Sequence, residues 1–119
     1  MGSEMCIRDR RTYTMRAIDE RGMRAVVQEA VQYASAGTAG IHVSFDLDAM
    51  DPREAPGVGT PSPGGLSFRE AHLAMEMLAD TGLVVSAEFV EVNPIFDEQN
   101  RTARLTVGLM ASLLGKTIL

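Results

Sequence analysis

The sequence predicts an α/β fold, a parallel sheet with flanking helices. Two apolar runs rich in β-branched residues, Ile41–Phe45 and Leu83–Val92, read as strands. An amphipathic stretch opening at Ser67-Phe68 lies between them, and strand, loop, helix, strand at this spacing is a βαβ unit. Acidic residues also gather where the strands end: Asp46 and Asp48 after the first, Glu91 after the second. Parallel sheets bind ligands at the carboxyl ends of their strands.

Met1–Arg10 has no clear period and reads as a disordered or artefactual extension, which leaves residues 11–119 as the domain. Arg11–Met15, short and rich in β-formers, predicts an edge strand. From Ile18 onward Met23, Val26, Val27, Ala30, Val31 and Ala34 recur at helical spacing, and Gly37 stops the helix. Asp19 and Glu20 read as acids of its first turn, where they suit the dipole. Ile41–Phe45 predicts a buried strand. The Asp46–Leu66 loop that follows is punctuated by Pro52, Pro56, Pro61 and Pro63 and by Gly57, Gly59, Gly64 and Gly65. Loops of this length inside a compact domain are usually functional or disordered, and prolines favour the rigid case. Asp51 before Pro52 reads as a turn former.

Ser67 and Glu70 form a capping-box pattern, so the next helix starts there, runs to about Asp80 and stops at Gly82. Its Phe68, Ala71, Met75 and Leu78 stripe is widened by Leu73, Ala74 and Met77, which predicts cover on more than one side. In the Leu83–Val92 strand, Glu88 lies three residues before Glu91, so the two face opposite ways and Glu88 falls to surface or helix-contact duty. The last helix spans about Asn100–Leu114, with apolar stripes Ala103-Val107-Met110-Leu114 and Leu105-Leu109-Leu113.

At 119 residues the chain suits one modest domain with a real core. A net charge of −5 and the absence of a basic run exclude nucleic acid as an expected partner. No apolar run reaches membrane-spanning length, and the lone Cys6 excludes a disulfide framework and points to the cytoplasm.

Asp46 and Asp48, spaced i, i+2 at a strand end, point to one side. Two crowded carboxylates repel unless something positive sits between them. Either a cation does, and oxygen ligands suit a hard or borderline ion such as Mn or Mg, or the pair simply caps and shapes the turn. A calcium loop fails because Met50 and Asp51 occupy its fifth and sixth positions, and no Gly-Lys-Ser/Thr phosphate loop occurs. His42 shares a strand face with Ser44 and Asp46, so it either touches the site from behind or packs in the core. His72, on a helix, reads as structural.

Residues 44–65, SFDLDAMDPREAPGVGTPSPGG, are similar to the signature of the ureohydrolases, the family of arginases, agmatinases and relatives. SAEFVEVNP, residues 86–94, resembles that family's second C-terminal motif, and the resemblance runs from about Tyr13 to Leu119. The segments 70–76 and 91–103 resemble bacterial arginases more than agmatinases. The resemblance implies a three-layer α/β/α fold of the arginase type, truncated at its N-terminal side, with two Mn ions. Asp46 would bridge both ions and Asp48 would bind one. Glu91 would face the substrate guanidinium, and Thr60 would lie in the loop beside it. The implied reaction is metal-activated hydrolysis of L-arginine to L-ornithine and urea, with a small guanidino substrate and a homo-oligomer for the full-length protein. The family's upstream metal motifs and proton-shuttling histidine have no counterpart in these residues, so no complete catalytic set is expected. The alternatives are an agmatinase-like amidino hydrolase and a non-catalytic fragment.

Overall fold

The computed structural model describes residues 10–116. The extension expected over residues 1–10 lies, but for Arg10, outside the described residues. Helix α1 spans Met15–Ser35, strand β1 Ile41–Asp46, helix α2 Phe68–Thr81, strand β2 Val84–Val90 and helix α3 Arg101–Leu113. The α/β class and the βαβ unit are as the sequence predicts: β1 and β2 pair in parallel, Phe45 opposite Phe89 and Asp46 opposite Val90.

The strand expected over Arg11–Met15 is not formed. Thr14 instead caps α1, its hydroxyl accepting from the Ala17 N–H at 3.1 Å, and Met15 is already helical. Capping satisfies an amide that a lone edge segment would leave to water. Tyr13 donates to Glu29 at 3.1 Å and Arg11 lies 5.3 Å from the centre of the Tyr33 ring, so this segment is tied to α1 by side chains. The earlier start moves Asp19 and Glu20 beyond the first turn, which holds no acid. Helix α1 is also broken at Gly22, whose φ of 83° and ψ of 153° only glycine adopts readily.

Helix α2 begins with the capping box, Ser67 accepting from the Glu70 N–H at 3.1 Å and Glu70 accepting from the Ser67 N–H at 3.0 Å. It ends at Gly82 in the left-handed conformation. It packs between α1 and α3, as its wide apolar face predicts. One core joins Met23 of α1, Ile41, Val43 and Phe45 of β1, Ala71, Ala74 and Met75 of α2 and Leu105 and Leu109 of α3. Leu47, Met50, Ala55 and Val58 bring the long loop into the same core.

Burial alternates strictly along β1, so His42, Ser44 and Asp46 occupy an open face. The described residues thus provide the sheet and one helical layer. On α3 only one expected stripe is inside. The buried face is Thr102, Leu105, Thr106, Leu109 and Ser112, while Val107, Met110 and Leu114 are exposed. Hydroxyls won the inner positions because the preceding turn and the histidine of α2 pair with them: Thr106 donates to the Thr102 carbonyl at 2.8 Å and Ser112 Oγ meets His72 Nδ1 at 2.8 Å. No helix among the described residues is long and apolar enough to cross a membrane.

Candidate functional site

Strand β1 delivers Asp46 to the sheet's carboxyl edge, and a 3-10 turn over Leu47–Ala49 follows. Asp46 Oδ1 accepts the Asp48 N–H at 2.8 Å, so one carboxylate oxygen shapes the turn. Leu47 points inward and is fully buried, which pins the turn and leaves the aspartates on either side of it facing the edge.

Asp48 is the most informative residue of the site. Its Oδ2 accepts the Thr60 hydroxyl at 2.7 Å, while its Oδ1 is buried with no hydrogen-bond partner among the described residues. Leaving a carboxylate oxygen buried and unpaired is costly, and a cation or a bound water would remove the cost. An open cleft of about 450 Å³ beside Asp48 is lined by Met15, Ile18, Ser62, Pro63 and Gly65. A donor set of carboxylate oxygens fits a hard divalent ion such as manganese or magnesium. Among the described residues no three His, Cys, Asp or Glu side chains converge as a metal cage.

The loop after Asp48 is anchored twice. At its start Asp51 accepts from the Arg53 N–H at 2.9 Å, from Arg53 Nε at 3.1 Å and from the Gly64 N–H at 3.3 Å, the turn role the sequence predicts. Those donors, the Arg53 amide first, hold the Asp51 carboxyl below its usual value. Further on, Val58 bridges Val92, and the Asn93 N–H donates to the Gly57 carbonyl at 2.7 Å. The Gly57 N–H in turn donates to Thr102 Oγ1 at 2.7 Å. The loop therefore straps the end of β2 to the start of α3.

Glu91 sits just past β2 with φ of 71°, in the left-handed region. Alternation along the strand no longer governs its direction there. Its Oε2 comes within 3.8 Å of the point where a Cβ on Gly59 would stand, so the carboxylate lies against the strap that also carries Thr60. Glu88 takes the surface role, accepting the Ser44 hydroxyl at 2.8 Å. His42 is half-exposed rather than packed in the core: its Nδ1 meets Ser86 Oγ at 2.8 Å and its Nε2 lies 3.7 Å from Glu88. His72 is buried as predicted, its ring centre 4.3 Å from that of Phe68, with Nδ1 on Ser112 and no partner for Nε2 among the described residues.

Two residues of this architecture were not singled out from the sequence. Asp97 accepts the N–H groups of Glu98 at 2.9 Å, Thr102 at 2.9 Å and Ala103 at 3.2 Å, and so caps α3. Burial pushes its carboxyl up, but these amides outweigh it and hold the group below its usual value. Thr102 joins that cap to Gly57. An acid shortly before a helix start was the available signal, masked by the turn residues between them.

The family model described as Arginase family matches residues 4–115. An arginase from Bacillus subtilis (strain 168) is 57% identical over 109 residues, covering 92% of this chain and 36% of that protein. The structure of arginase from Bacillus caldovelox superposes with a TM-score of 0.92 at 52% identity, over 99% of this chain and 40% of that one. The crystal structure of arginase from Bacillus subtilis gives a TM-score of 0.93 at 51% identity, over 100% and 43% of the two chains. The chain spans about two-fifths of the length of these relatives.

Proposed function

The chain belongs to the arginase family, and on that premise we propose that its residues form the aspartate side of a binuclear manganese centre hydrolysing L-arginine to L-ornithine and urea. The observation that carries the reading is the buried, unpartnered Asp48 Oδ1 beside Asp46 at the strand edge. Manganese, when bound, supplies the Lewis acidity that lets water attack a guanidinium carbon at neutral pH.

The chain's own residues do the rest. Asp46 is held by the Asp48 amide through Oδ1. Asp46 and Asp48 would hold the metal with their carboxylate oxygens, and the metal would supply Lewis acidity there. Glu91 pairs with the guanidinium of the substrate, a charge-assisted contact that fixes the plane of the group under attack. Its left-handed backbone turns the carboxylate toward the strap instead of along the sheet face. Thr60, beside the substrate, donates its hydroxyl hydrogen bond to Asp48 and keeps its oxygen lone pairs for a guanidinium N–H. L-arginine is favoured over agmatine because relatives at 52% and 57% identity are arginases. The same reading puts the reaction in the cytoplasm and the full-length protein in a homo-oligomer.

Since no cage of three or more ligating side chains converges among the described residues, these residues by themselves bind manganese weakly and do not turn over. Replacing the matching segment of the Bacillus subtilis arginase with this chain tests the proposal. The expected chimera, loaded with manganese, releases urea from L-arginine in preference to agmatine and loses this activity with Asp48→Asn or Glu91→Gln. A folded, manganese-loaded chimera that is inert on L-arginine, or prefers agmatine, would sink the proposal.

A further inference from the structure

We propose that the cavity between the start of α2 and the first turn of α3 is a binding site for a zwitterionic α-amino acid with an apolar side chain. The cavity, about 290 Å³, is lined by Glu54, Phe68, Arg101, Arg104 and Leu105. None of these residues lines the cleft beside Asp48. Ligand pockets run from about 300 to 1,000 Å³, so this one suits a small molecule. Its lining offers two guanidiniums, one carboxylate and an apolar pair, and each has a counterpart in such a ligand.

Arg101 and Arg104 stand at helix positions i and i+3 on α3, so their side chains are neighbours. Arg101 is held in place: it donates to the Arg53 carbonyl and lies 3.6 Å from Glu98. Arg104 has no side-chain partner among the described residues, which leaves its fork of donors for a carboxylate. Glu54 acts on neighbouring Arg53 through charge alone, which leaves its carboxylate for an ammonium group. Phe68 rests on His72 with ring centres 4.3 Å apart, yet is 39% exposed. Together with the buried Leu105 it gives the cavity an apolar wall for a side chain. Charge then decides among ligands. Glu54 repels a phosphate or a dicarboxylate, and a neutral apolar molecule leaves Arg104 and Glu54 unused. An amino acid answers both signs at once.

The test titrates the ¹⁵N-labelled 119-residue chain with L-phenylalanine, phenylpropionate and phenylethylamine, following the amides of the lining residues. Phenylpropionate lacks the ammonium group and phenylethylamine the carboxylate. The expected result is saturable shifts at these amides with L-phenylalanine, and an affinity about tenfold lower for each truncated probe. Arg104→Gln should weaken L-phenylalanine about tenfold and leave phenylethylamine unchanged. Glu54→Gln should weaken L-phenylalanine similarly and leave phenylpropionate no weaker. Amide spectra report whether each variant keeps its fold, and the three probes on the unaltered chain decide the matter if one does not. Absence of saturable shifts, equal affinity for all three probes, or L-phenylalanine binding untouched by either substitution overturns the proposal. Phenylpropionate binding as tightly as L-phenylalanine reduces the cavity to an anion site and overturns it as well.

Discussion

Gly57→Ala should destabilise the protein through one identifiable collision. The added Cβ would stand 2.6 Å from both Cβ and Cγ of Asp97 and 2.8 Å from its Oδ1. Carbon atoms rest about 3.5–4.0 Å apart, so something must move by about an ångström. Asp97 cannot retreat freely, because its carboxylate holds the amides of Glu98, Thr102 and Ala103. Gly57 cannot retreat either, because it is bonded to Asn93 and Thr102. Overpacking of this kind costs about 1–3 kcal/mol, and pushing Asp97 off the helix start forfeits a cap of about 1 kcal/mol. The sum, about 2–4 kcal/mol, lowers the thermal midpoint by on the order of 10 °C. Thermal unfolding followed by circular dichroism measures it. Asp97→Gly removes the colliding atoms, at the loss of the cap. In that background Gly57→Ala should cost under about 1 kcal/mol, because contacting residues couple. A stable Gly57→Ala, or an equal cost in both backgrounds, refutes the reasoning.

Two other expectations concern strain and charge. Glu91→Gly should stabilise the chain by about 0.5–1 kcal/mol in urea denaturation, because a left-handed non-glycine residue is strained. In the chimera the same substitution should abolish urea release. A loss of stability would show that Glu91 is not strained. His72 is held below its usual value by burial first, with Glu76 opposing and Arg69 assisting. Its neutral form is the folded one, so the stability it contributes is complete above pH 6.5 and is lost as the pH falls through that value. The thermal midpoint should therefore drop between pH 7.5 and 5.5, and His72→Gln should flatten that drop. A wild-type profile as flat as the variant's would refute the burial argument.

Much of this molecule was legible in the sequence because the signals are local. The Ser67/Glu70 box, the stop at Gly82 and the alternation through Ile41–Asp46 depend on residues within a turn or two of each other. The same holds for placing Asp46 and Asp48 at a strand edge and Asp51 in a turn. Tertiary structure decided what local pattern left balanced. Residues 11–15 carry β-forming side chains, yet with no strand beside them among the described residues Thr14 gained more as a cap. Two stripes of α3 are apolar, and only contact with α2 chose the face that carries Thr102, Leu105 and Ser112. Glu91 lies on a strand by its neighbours' propensity, but the bridge from Val58 to Val92 ends β2 at Val90 and turns the carboxylate toward the strap. Most of all, the sequence put two carboxylates together, while only the folded loop could tell their oxygens apart. Thr60 is twelve residues from Asp48 along the chain, and no local rule brings its hydroxyl to Oδ2 and leaves Oδ1 buried and open to a cation.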